Sequence, residues 1–152
     1  ALEFTGKSVS EIMVPREQVQ TLTLGCTPAE LEHAVARTGY SRFIVTDPEG
    51  SYMGYLHLKD ALAVPPAREH IPFGWRLVRS MSVVAPETDI DDALAIMQGN
   101  NSHLAHVVGS NGRSLGVVFM EDVLEELVGE IKDTTQDRVR RLQAASRASN
   151  DK

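Results

Sequence analysis

Two stretches decide the fold: Gly54-Tyr55-Leu56-His57-Leu58-Lys59-Asp60 and, 62 positions later, Gly116-Val117-Val118-Phe119-Met120-Glu121-Asp122. Each has a glycine at the head of an apolar, β-favouring run and an aspartate where helix-forming residues take over. The match extends outward at the same offset, pairing Val45 with Val107, Gly50 with Gly112 and Leu62 with Leu124. A turn glycine, a strand glycine and a helix-entrance aspartate at one offset mark an internal duplication.

Working outward from the first copy, Thr27-Pro28-Ala29-Glu30 is a helix start. Thr27 suits the cap, Pro28 the first helical position, and Glu30 completes a capping box. Leu31, Ala34 and Val35 share one helical face, and Gly39 is the expected stop. A strand follows over Arg42 to Thr46, then the turn Asp47-Pro48-Glu49-Gly50 and a second strand over Tyr52 to Leu58. A short helix from Lys59 ends at Pro65-Pro66. In the second copy Thr88 to Asp91 opens a helix lined by Ile90, Leu94 and Met97, and Gly99 closes it. Strands over 104–108 and 115–120 flank the turn Gly109-Ser110-Asn111-Gly112. A last helix opens at Glu121 and carries Val123, Leu124, Leu127, Val128 and Ile131.

Each half offers an apolar surface that it cannot bury alone, so the expectation is one α/β (α+β) module of two helix-strand-strand-helix units packed together. The boundaries read as a linker over 1–8, a first unit over 9–66, a connector over 67–80 and a second unit over 81–131. The polar, Ala/Ser-rich stretch 132–152 reads as a frayed helix or a disordered tail.

The 152 residues are 42% hydrophobic and 24% charged, an ordinary globular balance. A net charge of −6 argues against the broad basic face that nucleic acid demands, whereas a single nucleotide needs only a few local donors. Cys26 is the one cysteine, which excludes an intrachain disulfide and a cysteine-built zinc cluster and points to a reducing compartment. No run approaches the roughly 18 apolar residues of a spanning helix. The opening Ala1-Leu2-Glu3-Phe4 has no initiator Met and no signal-peptide pattern, and reads as a cut inside a longer protein.

The duplicated layout resembles a pair of CBS domains. Val9-Ser10-Glu11-Ile12-Met13-Val14-Pro15-Arg16 is similar to the opening of that pair in the CorC/HlyC family of magnesium-and-cobalt transport and hemolysin-like membrane proteins. Tyr40-Ser41-Arg42-Phe43-Ile44-Val45 and the two deciding stretches resemble later parts of the same module, as do Ser102 to Val108 and Val123 to Ile131. The resemblance covers about residues 9 to 131. It implies a regulatory, non-enzymatic module on the cytoplasmic face of the cell membrane, following a membrane domain of the same polypeptide. It also implies homodimerisation and an adenine nucleotide, ATP or AMP, with magnesium for ATP, in the cleft between the units.

The resemblance directs attention to a particular set of side chains. Asp60 and Asp122, at strand-to-helix junctions, could accept the ribose hydroxyls, or simply stabilise a helix start. Gly54 and Gly116 would let a base or sugar approach the backbone. Arg42 is the first candidate for a phosphate contact and Arg16 a second, the alternative being ordinary ion pairs. Val14 and Ser82, with Met13, Met81 and Val83, would line an adenine pocket or belong to the core. Nucleotide-binding CBS units usually carry Ser or Thr three residues before the aspartate. Here His57 and Phe119 stand there, and phenylalanine donates no hydrogen bond. Those departures also admit a degenerate pair that only dimerises or couples. The five histidines show no ligand spacing, so no protein-ligated metal is expected. The acidic run Glu121, Asp122, Glu125 and Glu126 reads as a solvated helix start, and Cys26, beside a helix start, as a thiol whose pKa could be lowered.

Overall fold

A computed structural model describes residues 6–150, so most of the expected 1–8 linker lies outside the described residues. The chain runs α1 (Val9–Ile12), β1 (Val14–Pro15), β2 (Thr21–Thr23), α2 (Pro28–Thr38), β3 (Arg42–Thr46), β4 (Tyr52–His57) and α3 (Leu58–Leu62). It continues with β5 (Ser82–Val84), α4 (Ile90–Gly99), β6 (Leu104–Val108), β7 (Ser114–Phe119) and α5 (Met120–Asn150).

The duplication is visible down to its irregularities. One sheet has the order β2-β3-β4 and the other β1-β7-β6-β5. β2 lies parallel to β3 as β5 lies parallel to β6, and both hairpins are antiparallel. Val45 faces Gly54 and Val107 faces Gly116, and each hairpin shifts register immediately afterwards. The fold is the α+β tandem that the repeat predicts.

Capping explains where the longer helices begin and end. The Thr27 hydroxyl accepts the Glu30 amide at 3.1 Å, and Gly39 closes α2 with φ 79°. The Glu30 carboxylate takes the Thr27 hydroxyl at 3.3 Å rather than its amide, so the expected capping box is only half made. In α4 the left-handed residue is Asn101 (φ 51°), so Gly99 is the last helical residue and not the stop.

The two units exchange the segments that lead into them. Val9 is fully buried in a core with Val84, Ile90, Met97 and Val107, all of the second half. β1 extends the second sheet, with Val14 opposite Val117 and Pro15 opposite Gly116. Reciprocally, Arg79 from the connector exchanges two backbone hydrogen bonds with Tyr55 of the first sheet, at 3.0 and 2.8 Å. The second sheet thus takes a strand, and the first a single β-bridge, from the segment that leads into the other half. A third cluster, Ile44, Tyr55, Leu104 and Val117, draws equally on both sheets and joins them.

The stretch expected as a frayed or disordered tail continues α5 past Asp133 without a break. Its side chains from Lys132 to Ala148 are exposed.

Candidate functional site

The third cluster leaves a cleft at the strand ends, where the two sheets meet. Its enclosed space is about 30 Å³, water-sized rather than nucleotide-sized, so a ligand there must part the walls. Val14, Val19, Ile44, Leu104 and Phe119 form its apolar walls, and Gln18, Gln20, Tyr40 and Arg42 supply polar groups. The strands account for this grouping. Arg42 and Ile44 are two apart on β3 and share a face, while Leu104 and Phe119 are register partners on β6 and β7.

Arg42 dominates the electrostatics. Its Nη1 pairs with Glu121 Oε1 at 2.9 Å, joining β3 of one unit to α5 of the other. Its Nε–H is buried without an acceptor. A buried guanidinium donor left unmatched costs about 1–3 kcal/mol, and an anion in the cleft would satisfy it in the geometry that suits phosphate.

The two repeat-equivalent aspartates differ in environment. Asp60 accepts the His57 amide at 2.8 Å and both Nε and Nη2 of Arg79, at 3.1 and 2.7 Å. Its partial burial would raise the carboxyl pKa, but Arg79 and the His57 amide outweigh this and hold it below the ordinary value. Asp60 is therefore engaged as a helix-start carboxylate. Asp122 has no hydrogen-bond or ion-pair partner among the described residues, and it lines a shallow hollow with Glu11, Ile12, Glu125 and Glu126. Burial, then Glu121 and Glu125, push its carboxyl above the ordinary value.

The structure brings Val14, Arg42 and Phe119 together in the cleft and disperses the other candidates. Gly54 and Gly116 do sit in like settings, but it is the chain's own backbone that approaches them. A Cβ at Gly54 would lie 2.3 Å from the Arg79 carbonyl oxygen, and one at Gly116 would lie 2.1 Å from that of Val14. These glycines admit the crossing segments, not a base or a sugar. Ser82 is buried and bonded to the Ser102 hydroxyl and to Asn100 Nδ2, so it belongs to an internal network. His57 caps α3, its Nδ1 accepting the Lys59 amide at 3.0 Å. Burial and the cations Arg42, Lys59 and Arg79 lower its pKa, which disfavours the imidazolium that a phosphate contact would use.

The secondary candidates are also placed. Arg16 stacks over Tyr52 and donates to the Gly50 carbonyl, away from the cleft residues. Burial and Glu30 raise the Cys26 thiol pKa, correcting the lowered value expected beside a helix start. Among the described residues Asp89, Asp91 and Asp92 lie close enough to share a cation. They are carboxylates at the α4 start, where the helix dipole alone favours them.

Sequence reasoning missed Gln18, Val19, Gln20, Tyr40, Ile44 and Leu104 as cleft residues, and Arg79 as the partner of Asp60. Residues 18–20 carry no periodicity. The Arg79 contact spans 19 positions and arises only because the connector crosses the first sheet.

Comparisons with known proteins fit this geometry. The CBS domain family model matches residues 9–66 and 77–129. An uncharacterized protein of Mycobacterium tuberculosis strain H37Rv is 39% identical over 140 residues, 89% of this chain and 40% of that protein. Hemolysin C of Rickettsia prowazekii is 31% identical over 134 residues, 87% of this chain and 44% of its own. The chain thus spans less than half the length of these relatives. The solved CBS domain of a bacterial CNNM/CorC family Mg2+ transporter in complex with ATP superposes with TM-score 0.72 at 27% identity, covering 80% of this chain and 87% of that one. Duplicated sheets, interlaced lead-in segments and a cleft between them all lead to one conclusion: this chain belongs to the CBS domain family, as a tandem pair of the kind found in hemolysin C and CNNM/CorC relatives.

Proposed function

We propose that this chain is the regulatory module of a membrane ion-transport protein of the CorC/hemolysin type, and that it binds an adenine nucleotide in the cleft between its halves. The observation that carries this reading is Arg42, a half-satisfied guanidinium in an otherwise apolar inter-unit cleft. Adenine packs against Val14, Val19 and Ile44, with Gln18 and Gln20 within reach of its polar edge. Phosphate replaces Glu121 on Arg42. Asp122, unpartnered one helical turn beyond Phe119, takes the ribose once the α5 start adjusts. ATP brings Mg2+, which offsets the Glu121 carboxylate beside Arg42. The relative solved with ATP supports the choice of ligand class.

In this reading the module is not an enzyme. It lies on the cytoplasmic side of a membrane domain in the same polypeptide and pairs with a second copy of itself. Among the described residues no helix is long and apolar enough to cross a membrane.

Calorimetric titration with ATP and AMP, with and without Mg2+, tests the proposal. At least one nucleotide should bind at physiological concentration, and Arg42→Ala should weaken that binding tenfold or more. Heatless titrations for both nucleotides up to several millimolar would discard it. A second reading, a pair that couples or dimerises without nucleotide, is favoured by two observations. The Phe119 ring stands in the cleft wall, where a hydroxyl would meet phosphate, and Asp60 is held by Arg79. A stable dimer unresponsive to nucleotide would select it.

A further inference from the structure

The connector between the halves turns its apolar groups outward. Ile71, Trp75 and Leu77 are between 53% and 68% exposed. Ile71 and Leu77 line one open groove with Val64, Pro65 and Pro72. Trp75 shares a single 3-10 turn with Leu77 and stands at the rim of that groove.

This exposure does not come from a slack loop. Phe73, between Ile71 and Trp75, is buried in the first half's core, and its N–H donates to the Cys26 carbonyl at 2.9 Å. The Ala29 N–H donates to the Glu69 carbonyl at 2.9 Å. Pro65, Pro66 and Pro72 fix φ along the same stretch. A segment anchored on both sides of Ile71 holds that side chain in solvent by construction. An apolar patch held out in this way, with charged neighbours, is a binding surface.

Charge indicates what covers it. Residues 67–80 hold three arginines and one glutamate, net +2, whereas the rest of the chain is net −8. Arg79 is engaged by Asp60, but Arg68 lines the groove, and the Arg76 guanidinium lies 5.3 Å from the centre of the Trp75 ring. Indole settles at the headgroup level of a bilayer, aliphatic groups enter the acyl boundary and arginine meets lipid phosphate. An anionic bilayer repels an acidic chain except where the chain is locally basic, so a tip that is both basic and apolar selects the face that meets it.

We propose that the connector docks on an anionic lipid surface, with Trp75 among the headgroups, Ile71 and Leu77 beneath them, and Arg68 and Arg76 on lipid phosphates. The proposal rests on the membrane-side placement in the reading above and needs no nucleotide. A contact of so few side chains is weak and reversible alone. In a polypeptide tethered beside the bilayer, effective concentration makes it sufficient to orient the module.

Trp75 is the only tryptophan, so its own emission reports the contact. Without nucleotide, vesicles of equal parts phosphatidylglycerol and phosphatidylcholine should shift that emission to the blue, shield it from acrylamide and carry the chain down on sedimentation. Phosphatidylcholine vesicles, or the mixed vesicles in high salt, should bind at least tenfold more weakly. Inorganic phosphate alone should leave the emission unchanged. Arg68→Glu with Arg76→Glu should weaken vesicle binding tenfold or more, and Ile71→Ser with Leu77→Ser likewise, each with the circular dichroism of the chain retained. Mixed vesicles that neither shift the emission nor carry the chain down overturn the docking, and so does binding that both double variants leave intact. A blue shift that grows with protein concentration in the absence of vesicles assigns the patch to a second copy and overturns it too. Because the vesicles supply the bilayer directly, any of these failures leaves the nucleotide reading to be decided by calorimetry.

Discussion

At the residue scale, Asp60 and Asp122 show how one repeated position acquires two characters. Both are three residues beyond the end of an equivalent strand register, yet only Asp60 meets a cation, because Arg79 arrives on the crossing connector. The consequence is a pair of opposite linkages. The folded state holds the Asp60 pKa down, so its contribution is present above the ordinary value near 3.9 and is lost as pH falls through the lowered value. The folded state holds the Asp122 pKa up, so its ionisation destabilises as pH rises from the ordinary value through the raised one. Carboxyl-carbon NMR titration should therefore place the Asp60 midpoint below, and the Asp122 midpoint above, that of a model aspartate. At pH 7, Asp60→Asn should cost roughly 1–2 kcal/mol by loss of charge-assisted hydrogen bonds, and Asp122→Asn should be neutral or stabilising in urea denaturation. Coincident midpoints would refute the asymmetry.

At the element scale, the interlaced lead-in segments decide where stability resides. Val9 is near the chain start but is fully enclosed by the second half, and β1 covers the edge of β7. Without β1 that strand would present unpaired backbone groups. Val9→Ala should therefore destabilise by about 1–3 kcal/mol, the loss of buried methyls plus residual cavity. Hydrogen exchange should accelerate in β6, β7 and the first turns of α5 more than in β3 and β4. Equal acceleration in both sheets, or preferential loss in the first, would contradict the crossing. The individual strands and the helices α2 and α4 are legible from periodicity, turn residues and Thr27, Pro28 and Gly39. Which sheet the short segment Val14–Pro15 joins is not legible, because two residues carry no register of their own. Its partner is fixed by the Gly116 backbone, which admits it, and by the burial of Val9.

At the scale of the whole molecule, Ile44, Tyr55, Leu104 and Val117 bind the halves into one cooperative body. Leu104 is fully buried at this junction and also lines the cleft. Leu104→Ala should cost about 2–5 kcal/mol, and unfolding should stay a single transition in which Trp75 fluorescence and far-ultraviolet circular dichroism coincide. Two separated transitions would mean that the halves fold independently. By itself the sequence determined the duplication, the element order and the family to which the chain is similar. These depend on local periodicity, turn chemistry and residue spacing, all of which are written along the chain. Tertiary structure alone decided that Gly54 and Gly116 admit the chain's own backbone, that Asp60 is claimed by Arg79, and that Val14, Arg42 and Phe119 share a cleft. Each of those outcomes depends on a segment distant in sequence arriving at a particular point in space, which no local pattern encodes.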